Sequence, residues 1–185
     1  QNVDFLPTLA DLCDLSMPSD HELDGRSYAA QLTEGRPDAV HEDLYNEIGV
    51  TRSVQHGRWL YIAMRHTPEA LRRMKSGEAD VALNALMRPS ANMATLHPAH
   101  YYEPDQLYDT AQDTWQQMNL AGVEGYGEVL ADLKDRLRRR LATFEHPFPA
   151  EPDPFVLTER YRELVANARR RLTVEHIGYF HERYW

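Results

Sequence analysis

The stretch Thr51-Arg52-Ser53-Val54-Gln55-His56-Gly57-Arg58-Trp59-Leu60-Tyr61-Ile62-Ala63-Met64 decides the fold. Gly57 sits between two runs of strand-forming residues, which is a hairpin signal. Along the second arm Trp59, Tyr61 and Ala63 face one way, and Leu60, Ile62 and Met64 face the other. Both sets are apolar. That predicts a strand in the middle of a sheet, covered on both faces. Working outward, Leu44 to Ile48 can form a strand before the hairpin, and Gln106-Leu107-Tyr108-Asp109 a strand and turn after it.

Helical spacing surrounds this sheet. Residues 4 to 15 read as a helix capped by Asp4, with Pro7 in the first turn and an apolar face of Phe5, Leu6, Leu9, Leu12 and Cys13. A short helix is expected from Ser27 to about Leu32. Residues 66 to 100 read as a helical insertion, opened by Thr67 as cap and Pro68 at the first helical position. A second inserted helix is expected over 78–88, ended by Pro89, and then a polar loop over 90–100. Gly127 to Phe144 carries one stripe of Leu130, Leu133, Leu137, Leu141 and Phe144, with Glu128 near its start and Arg138 to Arg140 near its end, as the helix dipole favours. The proline-rich residues 146 to 154 read as a linker. A last helix over 158–172 presents Tyr161, Leu164, Val165, Ala168 and Leu172, and the aromatic tail Tyr179, Phe180, Tyr184 and Trp185 is expected to dock. The fold class is α+β.

Composition narrows the function. A net charge of −9 argues against nucleic acid or an anionic membrane surface as the partner. The apolar runs are too short for a membrane span, and no leader peptide is visible. The single cysteine, Cys13, rules out an internal disulfide or a cysteine zinc cluster, and its place in the apolar stripe predicts a core residue. The compartment stays open. The chain starts at Gln1 and enters a helical pattern within three residues, which reads as a piece of something longer.

The chemistry-bearing residues give no self-contained active site. His97 and His100 are close, but Pro98 lies between them and no third ligand is spaced to complete a metal site, so none is assigned. Arg136, Arg138, Arg139 and Arg140 share their helix end with Asp132, Asp135 and Glu145, and read as a solvated helix end. Capping explains Asp109 and Asp113 as well as acid–base work does. No glycine-rich phosphate loop and no serine elbow is present.

Four blocks, in order, carry a resemblance. Val3-Asp4-Phe5-Leu6-Pro7-Thr8-Leu9-Ala10-Asp11-Leu12 resembles the VDxxPTLxDL helix that closes the large domain of sulfatases. Leu23-Asp24-Gly25-Arg26-Ser27 resembles their LDGRS turn. Arg52-Ser53-Val54 with Gly57-Arg58-Trp59-Leu60-Tyr61-Ile62 resembles RxVRxGRxKYI. Gln106-Leu107-Tyr108-Asp109, with Asp113 and Asn119-Leu120-Ala121, resembles ELYDLxxDPxExxNLA. Leu60 replaces the usual lysine, Thr114 the proline, and a glutamine at 116 or 117 the glutamate. The blocks cover residues 3 to 121.

The resemblance implies the smaller C-terminal subdomain of a sulfatase, an antiparallel sheet of about four strands flanked by helices. Residues 1–34 would close the large domain, 35–145 would form the subdomain with its insertion at 66–100, and 146–185 would be a linker and helical arm. It implies scaffold roles for Asp4, Pro7, Thr8, Asp24, Gly25, Arg26, Ser27, Leu107, Tyr108 and Asp109, with Arg26 on backbone carbonyls and Tyr108 beneath the sheet. The family's C/S-x-P/A-x-R motif, its formylglycine and its calcium-type metal ligands are not in this sequence, so no catalytic residue and no metal ligand is assigned here. Cofactor chemistry, the sulfate ester substrate and the main partner, a catalytic domain, belong to the parent protein. Self-association through the C-terminal arm is a further expectation. Arg65, His66, His97, His100, Tyr101 and Tyr102 are expected to line the leaving-group side of the parent's cleft. The alternatives are a stand-alone interaction module, or the same part of a phosphonate or phosphodiester hydrolase.

Overall fold

The computed structural model describes residues 1–17, 23–78, 100, 102–145 and 148–167. The expected second inserted helix, most of the loop after it and the aromatic tail lie outside the described residues. The chain forms two compact units, Gln1–Tyr45 and Asn46–Trp185.

In the first unit, helix α1 (Phe5–Leu12) follows a 3-10 turn over Asn2–Asp4, and a short helix α2 spans Ala29–Thr33. Asp4 does not cap α1 through its side chain. Its buried carboxylate instead accepts the Arg26 N–H at 2.8 Å and meets His41 Nε2 at 2.9 Å. One turn on, the Thr8 hydroxyl donates to the Asp4 carbonyl at 2.6 Å and accepts the Tyr28 N–H at 3.1 Å. Asp4 and Thr8 are four residues apart, so they share one side of the chain and stitch the loop 26–28 along it. Burial opposes the Asp4 charge, but the Arg26 N–H and His41 outweigh it and hold the carboxyl down at about 2. Arg26 also donates to the Val40 carbonyl at 3.4 Å.

Gly25 is required by close approach. A Cβ there would lie 1.9 Å from the Val3 carbonyl oxygen. With Asp4, Pro7, Thr8 and Ala10 turned inward, the long apolar side chains of α1 point out. Phe5 is 56% exposed, Leu6 55%, Leu9 55% and Leu12 43%. Cys13 is exposed as well, which corrects its reading as a core residue. The helical spacing was real, but the buried side is the small and polar one.

The four-stranded sheet has the order β1 (Asp43–Ile48), β2 (Thr51–His56), β3 (Trp59–Met64), β4 (Asp105–Asp109); β2, β3 and β4 lie in the second unit, and β1 begins three residues before it. β3 pairs antiparallel with β2, Val54 opposite Tyr61, and with β4, Tyr61 opposite Leu107. It is the central, double-faced strand that its apolar pattern predicts. Helix α3 (Pro68–Ser76) starts at Thr67, whose hydroxyl accepts the Ala70 N–H, and stops at Gly77, which turns left-handed with φ +93°. Helix α4 (Gly127–Leu141) buries Leu133 and Leu137. Helical backbone over 159–167 follows a 3-10 turn at Pro154–Leu157. A core cluster of Met64, Met74, Tyr102, Val156 and Tyr161 joins β3, α3 and that segment.

Two of the motif blocks close the β4 end of the sheet. Arg58 clasps Asp109 through both carboxylate oxygens. Asn119 accepts the Leu107 N–H at 2.9 Å and donates to the Asp105 carbonyl at 3.0 Å, so its amide occupies the free edge of β4 as a fifth strand would. Tyr108 is buried, its hydroxyl on Gln106 Oε1 at 2.9 Å.

Gly25→Ala tests the close approach directly. It should cost about 1–3 kcal/mol of stability, as overpacking does, measured by urea unfolding. A variant as stable as the parent would contradict the packing of Gly25 against Val3.

Candidate functional site

The six residues expected at the cleft bracket the insertion, and four of them are described: Arg65, His66, His100 and Tyr102. His97 and Tyr101 lie outside the described residues. The structure brings the two ends of the insertion together. Met64 N–H donates to the Pro104 carbonyl at 2.9 Å, in line with the β3–β4 ladder.

Arg65 leaves the end of β3 and turns inward. Its side chain is 3% exposed. Nε donates to the Pro149 carbonyl at 3.2 Å. Nη1 donates to the Met64 and Pro104 carbonyls at 3.0 and 2.5 Å. Nη2 donates to Asp105 Oδ1 at 2.8 Å and to the Ala150 carbonyl at 2.9 Å. A guanidinium has five N–H groups, and all five are taken. Asp105 is the matching acceptor, also bonded to the Tyr61 hydroxyl at 2.8 Å and to Lys134 Nζ at 2.5 Å. Burial works against the Asp105 charge, and Lys134 and Arg65 outweigh it, so its carboxyl stays below the usual carboxylate range. This hub ties β3, β4, α4 and the chain at 149–150 together.

His66 is 6% exposed. Its Nε2 lies 2.8 Å from the Tyr161 hydroxyl, which in turn donates to the Tyr102 carbonyl at 3.2 Å. A hydroxyl has one proton, so Tyr161 accepts from His66 and the imidazole carries its hydrogen on Nε2. His66 Nδ1 is then a bare acceptor, and among the described residues it has no hydrogen-bond partner. Burial pushes the imidazolium down to a pKa of about 4.

At the other end, His100 Nδ1 meets Glu103 Oε1 at 2.7 Å, and Glu103 Oε2 also takes Asn119. Tyr102 lines a groove of about 620 Å³ with Glu103, Asn119, Gly122, Tyr161 and Arg162. Sequence reasoning missed Asp105, Lys134 and Tyr161 as polar partners. Tyr161 is visible only as part of an apolar stripe, and Asp105 has no pattern around it.

No protein-family model matches this chain, and no curated protein matches it. Among solved structures, it is similar to a 2-O GAG sulfatase (21% identity, 75% of this chain, TM-score 0.46). It is also similar to a protein solved with its substrate D-glucosamine-2-N,6-O-disulfate (18%, 81% of this chain, TM-score 0.49), and to the phosphonate monoester hydrolase of Agrobacterium radiobacter (18%, 75%, TM-score 0.45). The chain spans about a quarter of the length of each, 24%, 25% and 24%.

Two measurements follow from this geometry. Arg65→Lys leaves buried carbonyls and Asp105 short of donors and should cost about 3 kcal/mol or more in urea unfolding. His66 is held neutral in the folded chain but titrates near 6.5 when unfolded. Below pH 6.5 the unfolded state therefore binds the extra proton first, and stability is lost as pH falls from about 6.5 to about 4. Replacing His66 by Gln should flatten that part of the stability profile. An unchanged slope would place the titration elsewhere.

Proposed function

We propose that this chain is the C-terminal part of a sulfatase-type sulfuric ester hydrolase, with residues 1–34 closing the catalytic domain and 35–145 forming the smaller subdomain. The observation that carries the reading is α1. Four large apolar side chains stand in water on a helix of eight residues, while Asp4 and Thr8 fix the opposite side. Fully burying each would gain about 1.5–3 kcal/mol, so the face is built for a partner. Its sequence is the VDxxPT block, and in the resemblance that helix packs on the catalytic domain.

In such a parent, formylglycine and a divalent cation such as calcium, both held by the catalytic domain, supply the chemistry on the ester. The residues of this chain do the supporting work. Arg65 and Asp105 hold the two ends of the insertion in register, and the His66–Tyr161–Tyr102 chain pins the segment 159–167 against them. His100, Tyr102 and the groove beside them form the side turned to the organic part of the substrate, together with His97 and Tyr101. Residues 146–185 serve as linker and arm.

The 185-residue chain should hydrolyse no aryl sulfate, with or without calcium, because it brings no nucleophile. Turnover that survives repurification would contradict the reading. In the parent enzyme, changing His97 and His100 to Ala should lower kcat/KM for the natural substrate far more than for a small aryl sulfate. Equal losses on both would assign these histidines to packing.

A further inference from the structure

Two exposed contacts tie residues 152–167 to α3. Lys75 Nζ meets Asp153 at 3.1 Å, and Arg160 Nη2 donates to the Lys75 carbonyl at 3.0 Å. An exposed ion pair contributes little. The root of the segment is firmer, because Arg65 grips the Pro149 and Ala150 carbonyls. The buried tie lies further along. Tyr161 packs with Val156, Met64, Met74 and Tyr102, and its ring meets the His66 ring edge to face at 5.6 Å. Its hydroxyl takes the Nε2 hydrogen of His66 at 2.8 Å.

A second proton has no place on His66 in this packing. Nε2 already carries a hydrogen, so the proton must go on Nδ1, which is buried with no partner among the described residues. The charged groups around the ring do not receive it. Arg65 is a like charge. Glu151 and Asp153 border the same small cavity as His66, but the Glu151 side chain is 79% exposed, and Asp153 is taken by Lys75 and by the Phe155 N–H at 2.9 Å. On α3, Glu69 pairs with Arg72 and Arg73 with Glu78. Beside Tyr161, Glu159 pairs with Arg162, and Glu163 is exposed. Beside Tyr102, Glu103 is bonded to His100 and Asn119, and Asp105 to Arg65 and Lys134. Burial alone sets the imidazolium, and pushes it down to about 4.

We propose that His66 is an acid-operated latch: it takes up a proton when residues 152–167 lift from the core, and so favours the lifted state as pH falls, while β3, β4 and the Arg65 hub stay closed. Lifting removes Tyr161 from the Nε2 edge of the ring and Val156 from the wall of the cavity beside it, and the imidazole meets water. Arg65 sets where the movement starts, because its bonds end at Ala150. Tyr161, Arg162 and Val165 also line the groove at Tyr102, so acid opens that groove together with the latch. The latch depends on no step of the proposed ester hydrolysis and holds for this chain whatever its parent does.

The experiment is amide hydrogen exchange of the whole 185-residue chain at pH 7.5 and pH 5, each rate divided by the intrinsic rate at that pH. The imidazole titrates near 6.5 when exposed and near 4 when covered, so the opening constant should rise about 30-fold between the two conditions. Protection of the amides of 161–167 should fall by that factor. These amides should also be less protected than those of β3 and β4 at both pH values, and respond more weakly to low urea, which marks a partial opening. His66→Gln keeps a donor toward Tyr161 but cannot take the proton, and should remove the fall. Tyr161→Phe keeps the cover and loses the hydrogen bond, and should retain it. Each variant is read as its own ratio between the two pH values, so a general loss of stability does not mimic the result. Protection of 161–167 that does not change with pH would overturn the latch. So would a fall that persists in His66→Gln, or exchange of 161–167 with the same protection and urea slope as β3 and β4.

Discussion

A buried guanidinium survives in a fold only if each of its N–H groups finds an oxygen, and Arg65 meets that condition five times. Three of the carbonyls that serve it, at Pro104, Pro149 and Ala150, belong to segments far away in sequence, and so does Asp105. The consequence is geometric. The end of β3, the entry to β4, the chain after α4 and, through Lys134, α4 itself are held by one side chain. The insertion that leaves the sheet at residue 65 and returns at about residue 102 is thereby closed at its base, whatever lies along its length. His66, next in the chain, adds the link through Tyr161 to Tyr102 and brings 159–167 onto the same core.

Such a hub leaves little trace in a sequence. Arg65 reads there only as a cation at the end of a strand, because backbone carbonyls carry no side-chain signature. Asp4 shows the same limit. Its place before a helix fits an N-cap, but its partners are the N–H of Arg26 and the ring of His41, which no local pattern connects to it. Local chemistry was legible where it decides structure locally. The hairpin around Gly57, the double-faced β3 and the Thr67-Pro68 helix start all stand where residue types place them. Cys13 marks the boundary between these cases. Periodicity correctly identifies an apolar stripe, but it cannot say whether the stripe is covered by its own chain.

The first unit makes sense of that stripe. Polar stitching and a glycine that allows backbone contact occupy the side of α1 that globular proteins ordinarily fill with leucine. The leucines and Phe5 are thereby freed for a surface outside the unit. On the proposed reading, a helix held in this way keeps its shape before it meets a catalytic domain, which lowers the ordering cost of docking. The motif blocks of residues 3 to 27 thus leave an apolar face of α1 exposed, and those of residues 52 to 121 form the sheet and its protected edge.

We propose that this sequence is part of a longer hydrolase. The most direct measurement is the intact mass of the protein isolated from its source with an antibody raised against the 185-residue chain, together with peptide mapping. A polypeptide several times longer than 185 residues is expected. Its peptides should include a C/S-x-P/A-x-R motif whose cysteine or serine has become formylglycine. An isolated species of 185 residues, or a longer one lacking that motif, would contradict it.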